Sequence, residues 1–135
     1  NLRRMGFEGV EVVQGDARAP QEAFGDRAFD AILLDVPCSN SGVLRRRSDA
    51  RWRIDANRLK TLNELQFEIL TACAMRLRSG GRLVYSTCSL EACENESLVS
   101  RWVAAYPDFK LDREVKAFPP ESQTDGAFAA LIRRS

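Results

Sequence analysis

An apolar run that ends in a small-residue loop, at residues 30–42, constrains the fold of this chain more than any other stretch. Four apolar residues, 31–34, are followed by Asp35, a proline, Cys38 and a cluster of Ser, Asn and Gly. A short run of this kind is typical of a strand buried on both faces of a parallel sheet, and the polar cluster ends it. Ligands bind at the carboxyl ends of strands in open α/β sheets. The pattern therefore predicts that Asp35 and Cys38 lie at a ligand-binding rim.

A helix and a second strand follow this loop. Apolar residues recur at spacings of three and four from about residue 56 to residue 78, which indicates one face of an amphipathic helix. A glycine pair is predicted to end the helix, and residues 82–87 are predicted to form the next strand. This unit predicts two parallel strands joined by a right-handed crossover. Because Cys88 directly follows the second strand, we expect the thiols of Cys38 and Cys88 to meet at one rim.

Weaker patterns predict the remaining elements. The opening residues look like the end of a helix that stops at Gly6, and Val-Glu-Val-Val at residues 10–13 predicts a strand that delivers Asp16 to the same rim. A short helix is expected after Pro20. The last part of the chain is predicted to add one helix and two strands, at residues 92–105, 109–115 and 128–132. Acidic residues at the start of that helix, Glu94 and Glu96, suit its dipole.

Length and composition favour one globular domain. A chain of 135 residues with 44% hydrophobic residues is long enough to bury a core. No run approaches the ~20 apolar residues that span a bilayer, and no apolar signal opens the chain. We therefore expect a soluble, cytoplasmic protein with no membrane partner. Because the chain starts at Asn1 rather than at a methionine, we also expect a segment to precede it.

The cysteine pattern argues against three classes of protein. Four cysteines without a secretory signal do not indicate a disulfide framework. The chain has no histidine and no Cys-x-x-Cys pair, so no metal site is expected. A thiol-redox domain fits poorly, since Cys38 and Cys88 belong to separate motifs. Cys73 lies on the apolar face of its predicted helix and is expected to pack in the core.

Positive charge is concentrated next to the first cysteine loop, although the net charge is only +1. Five arginines and one tryptophan lie within nine residues, against a single acidic residue, Asp49. Arginines contact phosphates, and an exposed tryptophan stacks on an unpaired base. The alternative is a solvated loop whose arginines pair with nearby carboxylates. The candidate nucleic-acid contacts are Arg45, Arg46, Arg47, Arg51, Trp52 and Arg53.

Four short motifs, taken together, resemble one family. They are Gly-Asp-Ala-Arg at residues 15–18, Asp-Val-Pro-Cys-Ser at residues 35–39, Ser-Thr-Cys-Ser-Leu at residues 86–90 and Asp-Gly-Ala-Phe at residues 125–128. Their order and spacing, with an arginine-rich segment after the Pro-Cys motif, resemble the S-adenosylmethionine-dependent RNA cytosine-5 methyltransferases. The likeness is greatest to the bacterial Sun/RsmB type, which modifies small-subunit ribosomal RNA, and it runs nearly end to end.

The resemblance implies a partial Rossmann-like class I methyltransferase fold, an α/β fold with a mostly parallel sheet and helices on both faces. The family's Gly-rich cofactor loop and ribose-binding acidic residue are absent here, and in the family both lie upstream. With the family's sheet order, 3-2-1-4-5-7-6, a chain that starts before strand 3 lacks the first two strands. Residues 10–13 would then lie away from the strand at residues 31–34. We therefore expect residues 1–135 to be the C-terminal portion of a single methyltransferase catalytic domain.

The resemblance also implies the chemistry and the role of each site residue. A thiolate that adds to carbon 6 of cytosine lets carbon 5 attack the methyl group of S-adenosylmethionine. Cys88 would be the nucleophile and Cys38 would help to release the methylated RNA, whereas spacing alone leaves these two roles unassigned. Asp35 would hydrogen-bond the ring at nitrogen 3 and line the cofactor site, and Asp16 would accept a hydrogen bond from adenine. Without the resemblance, Asp16 is better explained as a turn residue.

Two alternatives remain open at this point. The chain is also compatible with a non-catalytic RNA-binding fragment of such a protein, inactive without its N-terminal cofactor loop. An amino-directed methyltransferase shares the fold and the cofactor. That class usually carries an Asn/Asp-Pro-Pro-aromatic loop and needs no cysteine, so the sequence of residues 35–38 argues against it.

Overall fold

A computed structural model describes residues 2–135, apart from the side chain of Arg3. In this part of the chain α-helices and strands alternate. The helices are α1 (Pro20–Phe24), α2 (Ala56–Ala74), α3 (Glu96–Ala105) and α4 (Pro119–Ser122). The strands are β1 (Phe29–Asp35), β2 (Leu77–Thr87), β3 (Phe109–Ala117) and β4 (Ala127–Arg134). Short 3₁₀ turns cover Arg3–Met5, Ser41–Val43, Ser48–Trp52 and Ala92–Glu94.

The four strands form one sheet in the order β1-β2-β4-β3. β1 and β2 pair in parallel, with Leu33 opposite Val84, so the predicted strand-helix-strand unit is confirmed. The resemblance implied a mostly parallel sheet, but β4 runs antiparallel to both of its neighbours and the sheet is mixed. The reason is that residues 118–126, which include α4, connect β3 to β4 and are too few for the crossover of a dozen or more residues that a parallel pair needs. The order matches strands 4-5-7-6 of the expected topology.

The hydrophobic core lies on one face of this sheet. α2 and α3 cover that face, and the β2 side chains that point toward them, Leu83 and Tyr85, are fully buried. On the opposite face Leu33 is 72% exposed and Val115 is 52% exposed. Helices on both faces and a first strand buried on both sides were expected. The described helices leave one face largely uncovered, because the two longest, α2 and α3, both pack on the core face.

The junction between α2 and β2 differs from its prediction. The helix ends at Ala74, and β2 begins at Leu77, before the glycine pair. The register between β1 and β2 is irregular here, where residues 78–81 bulge out of β2. Gly80 has a φ of +75°, which glycine adopts without steric cost, and the backbone around Gly81 leaves no room for a Cβ. The glycine pair therefore bends the strand instead of ending the helix.

Residues 10–13 do not form a strand, contrary to the prediction. The chain there is irregular, and Val12 is 78% exposed. β1 is an edge strand of the described sheet, so no described strand pairs with its free side. A strand needs a neighbour to satisfy its backbone groups, and this chain lacks the strands that the family's sheet order places between residues 10–13 and β1. Within the described residues β1 therefore has a free edge, and no strand lies beyond it.

The predicted helix over residues 92–105 is divided at Asn95. Ala92–Glu94 form a 3₁₀ turn, and α3 starts after the break. The backbone of Asn95 is not helical, with φ of −116° and ψ of −114°. Its buried side chain accepts a hydrogen bond from the Thr87 hydroxyl at 2.6 Å and donates to the Ser89 carbonyl at 2.9 Å. These bonds hold the chain after β2 against the start of α3.

The shorter predicted elements are largely confirmed. A helix follows residue 19 as α1, and the two C-terminal strands are β3 and β4. The opening segment forms a 3₁₀ turn at Arg3–Met5, and Gly6 follows with a φ of +76°. The part of that prediction that falls on Asn1 lies outside the described residues. No helix within residues 2–135 is both long and apolar enough to cross a membrane.

Candidate active site

The thiols of Cys38 and Cys88 lie together beyond the carboxyl ends of β1 and β2. Their Sγ atoms are 3.0 Å apart, and either thiol can donate to the other. β1 and β2 are parallel, so the loops that follow them emerge at the same edge of the sheet. Both cysteines are free. The predicted convergence of the two motif cysteines is confirmed.

Hydrogen bonds join the two cysteine loops to each other and to the turn before β4. The Gly42 N–H donates to the Cys88 carbonyl at 3.1 Å, and the Gly126 N–H donates to the Gly42 carbonyl at 2.8 Å. The Leu90 N–H donates to Ser41 Oγ at 2.9 Å. A Cβ on Gly42 or on Gly126 would overlap neighbouring atoms. The Pro-Cys, Thr-Cys-Ser and Asp-Gly motifs therefore form one closely packed rim.

A buried carboxylate that the sequence analysis did not assign to the site lies within this rim. Glu94 is 0% exposed. Its Oε1 accepts from the Ser39 N–H and from Gln66 Nε2, each at 2.9 Å, and its Oε2 accepts from the Ser39 and Ser89 hydroxyls, each at 2.5 Å. An acidic residue at a predicted helix start indicates an exposed position that suits the helix dipole. Nothing in the local pattern distinguishes Glu94 from Glu96, so only the tertiary contacts identify it.

Asn40 contacts both cysteines and was also missed. Its Nδ2 donates to the Cys38 carbonyl at 3.0 Å, and its Oδ1 accepts from the Cys88 thiol at 3.2 Å. Its φ of +63° lies in the left-handed region, which asparagine adopts more readily than most residues. The side chain is thereby directed at the thiol pair.

Burial distinguishes the two thiols chemically. Cys38 is 7% exposed, and burial, with a smaller contribution from its hydrogen bond to Cys88, raises its pKa to about 12. Cys88 is half-buried and lines an open groove. At neutral pH Cys38 is therefore a protonated, enclosed thiol, and Cys88 is the more accessible thiol of the pair.

The groove beside Cys88 has a volume of about 450 Å³ and lies on the uncovered face of the sheet. This volume is within the ~300–1,000 Å³ range of small-molecule sites. Leu33 and Val115 contribute apolar walls, and Asp35 contributes a carboxylate. The Ser86 hydroxyl donates to Asp35 Oδ1 at 3.3 Å. An accessible thiol and a carboxylate therefore share one cleft.

The structure does not bring Asp16 to the rim. Its carboxylate accepts a hydrogen bond from Arg18 Nη2 at 2.6 Å, and the hydrogen bonds from Arg18 lower the pKa of Asp16 to about 2. The adjacent chain contacts the second half of α2, where the Cys73 thiol donates to the Ala17 carbonyl at 3.3 Å. Because residues 10–13 form no strand, nothing in the described part of the chain carries Asp16 to the two cysteines.

The arginine-rich segment is exposed and partly neutralised. Trp52 is 83% exposed, and all five arginines are exposed. Arg46 pairs with Asp125, and Arg53 pairs with Asp49. The alternative, in which arginines of a solvated loop pair with nearby carboxylates, therefore holds for Arg46 and Arg53. No salt bridge of the described residues includes the other three, which are Arg45, Arg47 and Arg51.

Cys73 was predicted to pack in the hydrophobic core. Cys73 is 9% exposed and belongs to the hydrophobic cluster, as predicted, and burial raises the pKa of its thiol. Within the described residues, no group of three or more His, Cys, Asp or Glu side chains is arranged to hold a metal ion.

Comparison with known proteins decides the family. The family model described as 16S rRNA methyltransferase RsmB/F matches residues 1–133. The chain belongs to this family. Ribosomal RNA small subunit methyltransferase B of Klebsiella pneumoniae (strain 342) is 41% identical over 142 residues, which cover 99% of this chain and 33% of the relative. The protein of that name from Vibrio cholerae is 39% identical, over 99% of this chain and 32% of the relative. The chain thus spans about a third of the length of these curated RsmB relatives.

A solved structure confirms the Rossmann-like methyltransferase fold that the resemblance to the RsmB/F family implied. NSun6 from Pyrococcus horikoshii, solved with SFG, superposes with a TM-score of 0.84 and 30% identity, over 98% of this chain and 36% of that chain. SFG is an analogue of S-adenosylmethionine.

The RsmB/F family depends on S-adenosylmethionine, as expected. Two residues are predicted to contact the cofactor, and the structure leaves one of them, Asp35, accessible at the rim. Asp35 is exposed at the carboxyl end of β1, next to the unpaired side of that strand, so its carboxylate is accessible to a ligand. Asp16 is engaged by Arg18 and lies away from the rim.

Proposed function

We propose that this chain carries both catalytic cysteines of an RNA cytosine-5 methyltransferase, and that residues 1–135 form the C-terminal portion of its single catalytic domain. The proposed substrate is small-subunit ribosomal RNA, in keeping with the names of the curated relatives, and the proposed location is the cytoplasm. The observation that carries the proposal is the 3.0 Å approach of two thiols from separate strand ends. Methylation of an amino group needs no thiol, so the pair favours carbon 5.

Cys88 is the proposed nucleophile. Carbon 5 of cytosine is a weak nucleophile, and covalent addition of a thiolate at carbon 6 converts the ring to an enamine that attacks a methyl group. Cys88 lines the groove, whereas Cys38 is enclosed and its raised pKa keeps it protonated. Cys38 is therefore placed to donate a hydrogen bond to the Cys88 sulfur when that sulfur carries negative charge.

Cys38 is the proposed release residue. After methyl transfer a water molecule accepts the proton of carbon 5, the electrons of that C–H bond restore the double bond between carbons 5 and 6, and the bond from carbon 6 to Cys88 Sγ breaks with its electron pair on sulfur. The protonated Cys38 thiol donates to that sulfur as the charge forms. Cys38 Sγ lies 3.0 Å from the departing sulfur. This position supports a role in the elimination, while the attacking sulfur itself comes from Cys88.

Asp35 is proposed to contact both the base and the cofactor. S-Adenosylmethionine supplies an electrophilic methyl group when bound. As the thiolate adds, ring nitrogen 3 takes up a proton from solvent, and the Asp35 carboxylate, held by Ser86 on the groove wall, would accept a hydrogen bond from that N–H. The proposed contact of Asp16 with adenine additionally requires residues 15–18 to approach the rim, because Arg18 holds that carboxylate here.

The exposed segment next to the rim is the proposed RNA contact. Arg45, Arg47 and Arg51 are exposed and take part in no salt bridge of the described residues, so their guanidinium groups are available to phosphates. Trp52 presents a ring on which an unpaired base stacks. Arg46 and Arg53 contribute after they exchange a carboxylate partner for phosphate. These contacts help to offset the few kcal/mol needed to extrude a base.

Alanine variants of the two cysteines test the proposal in the full-length protein that contains this chain. With substrate RNA and S-adenosylmethionine, Cys38→Ala is expected to accumulate a denaturant-resistant protein–RNA adduct, because attack proceeds and release does not. Cys88→Ala is expected to form no adduct. Both variants should lose turnover by at least ~10³-fold, and Cys93→Ala, which changes an exposed cysteine outside the pair, should behave as the unmodified protein.

Two outcomes contradict this assignment. An adduct in Cys88→Ala and none in Cys38→Ala would exchange the two roles. Absence of an adduct in every variant, together with no 5-methylcytosine in RNA treated with the unmodified protein, would refute the reaction.

A further inference from the structure

We propose that Glu94 is a positioning residue that holds the two catalytic thiols at their working separation. The inference rests on the proposed function, since it assigns a purpose to the thiol pair. Among the described residues, the Glu94 carboxylate accepts from Ser39, Ser89 and Gln66 and from neither sulfur. It acts on the residue that follows each cysteine, Ser39 after Cys38 and Ser89 after Cys88.

The contacts show how one carboxylate controls two loops. The Ser39 N–H belongs to the peptide group that joins Cys38 to Ser39, so its 2.9 Å bond to Glu94 Oε1 fixes the backbone next to the first thiol. The Ser39 and Ser89 hydroxyls both donate to Oε2 at 2.5 Å, and the two hydroxyl oxygens are 3.2 Å apart. A single oxygen therefore sets the distance between the loops that carry the cysteines.

Glu94 is itself held by its surroundings. The Tyr85 hydroxyl donates to the Glu94 carbonyl at 2.7 Å from within the core. Gln66 of α2 donates through the same Nε2 to Glu94 Oε1 and to the Pro37 carbonyl, each at 2.9 Å. Glu94, Ser39 and Gln66 are each at most 5% exposed. A carboxylate fixed on several sides by short bonds is suited to position other groups.

The role of Glu94 depends on its reach more than on its charge. Glutamine has the same length, so its oxygen can accept from Ser39 N–H and Gln66, and its amide can donate to the two serine oxygens. Aspartate keeps the charge but is shorter by one methylene, about 1.5 Å, and so cannot hold both loops at once. A positioning role therefore predicts that glutamine retains the thiol geometry and that aspartate loses it.

A trivalent arsenical measures that geometry without RNA or cofactor. Phenylarsine oxide binds tightly only when two thiols bond the same arsenic atom. In the full-length protein, the affinity of Glu94→Gln is expected to stay within about threefold of the unmodified protein. Glu94→Asp and Glu94→Ala are expected to bind at least tenfold more weakly. Cys38→Ala gives the value for a protein that lacks the pair.

A core variant separates positioning from general loss of stability. Ile132 of β4 is 0% exposed and its side chain makes none of these hydrogen bonds, so Ile132→Ala should lower the melting temperature and keep the arsenical affinity. Where Glu94→Ala does not fold, Ser39→Ala combined with Ser89→Ala removes the two hydroxyl donors and should also weaken binding tenfold or more.

The same variants have a kinetic signature. Glu94→Asp should lower the rate of adduct formation at saturating RNA at least tenfold and leave the KM for RNA within about twofold, and Glu94→Gln should retain most of the rate. Retention of the arsenical affinity in Glu94→Asp with loss in Glu94→Gln would show that charge matters and overturn the proposal. Equal affinity in all Glu94 variants would also overturn it. Because arsenical binding needs no reaction, these outcomes stay distinct from failure of the adduct test.

Discussion

The cysteine rim and the segment at residues 10–18 differ in how the chain holds them. Hydrogen bonds at the rim connect residues about fifty positions apart, such as Ser39 with Glu94, and both residues are buried. In the earlier segment the Asp16 carboxylate accepts its hydrogen bonds from Arg18, two residues away, and Val12 is 78% exposed. Both regions carry family motifs. The difference is that buried contacts between distant residues hold the two cysteine motifs, whereas the Asp16 carboxylate is bound by an exposed neighbour.

The largest expected effect is on the free energy of unfolding, from a change in the buried core. Trp102 of α3 is 0% exposed, packs against the rings of Tyr106 and Phe109 at centroid distances of 4.8 and 4.9 Å, and donates from its indole to Thr71 at 2.9 Å. Trp102→Ala is expected to lower the free energy of unfolding by about 3–5 kcal/mol, because it leaves a cavity beneath the sheet. Urea denaturation of the full-length protein measures this loss.

Val12→Ala is the matched change in the exposed segment. It should alter the free energy of unfolding by less than about 0.5 kcal/mol, since Val12 buries little surface. A loss above about 1 kcal/mol would show that residues 10–13 pack against other parts of the protein, and the contrast between the two regions would fail.

An intermediate effect is expected from Cys38, whose contribution to stability and whose alkylation both depend on pH. Burial raises the pKa of Cys38 from 9.0 to about 12, so the folded state favours the neutral thiol. Its contribution to stability is therefore complete below about pH 9 and is lost as the pH rises toward about 12. Iodoacetamide at pH 9 should modify Cys88, which lines the groove, and spare Cys38, as peptide mass spectrometry would show.

The urea-unfolded protein provides the control for this alkylation. There Cys38 should react at pH 9 as fast as the exposed Cys93. Rapid modification of Cys38 in the folded protein at pH 9 would contradict its enclosed position at the rim.

The smallest effect is expected from the exposed pair in the earlier segment. Hydrogen bonds from Arg18 lower the pKa of Asp16 from 3.8 to about 2, so its contribution is present above about pH 4 and is lost as the pH falls toward 2. Both side chains are about half exposed, so solvent screens the pair. Asp16→Asn should therefore leave the melting temperature at pH 7 unchanged. It should lower the affinity for S-adenosylmethionine if Asp16 contacts the adenine, and leave that affinity unchanged if it does not.

Differential scanning fluorimetry and cofactor titration of the full-length protein make that measurement, with Asp26→Asn, another exposed aspartate, as the control. A substantial fall in melting temperature for Asp16→Asn alone would mean that the residue is buried in the full-length protein, and would remove the contrast with the rim.

Sequence patterns predicted the parts of the fold that depend on short-range periodicity. The apolar run before Asp35, the spacing of leucines in α2 and the strand before Cys88 are local signals, and they were sufficient to predict the parallel pair and the meeting of two thiols. The end of α2 was placed too late, because the bulge at Gly80 depends on pairing with β1 rather than on local propensity.

The amino-acid sequence alone determined that two parallel strands bring Cys38 and Cys88 to one edge of the sheet, because the order of apolar runs and polar loops predicts both strands and their ends. Only the tertiary structure decided that Glu94 is a buried acceptor for both cysteine loops and that residues 10–13 remain outside the sheet. The physical reason is the same in both cases. Burial and backbone pairing depend on which distant groups are within hydrogen-bonding distance, and no local pattern carries that information.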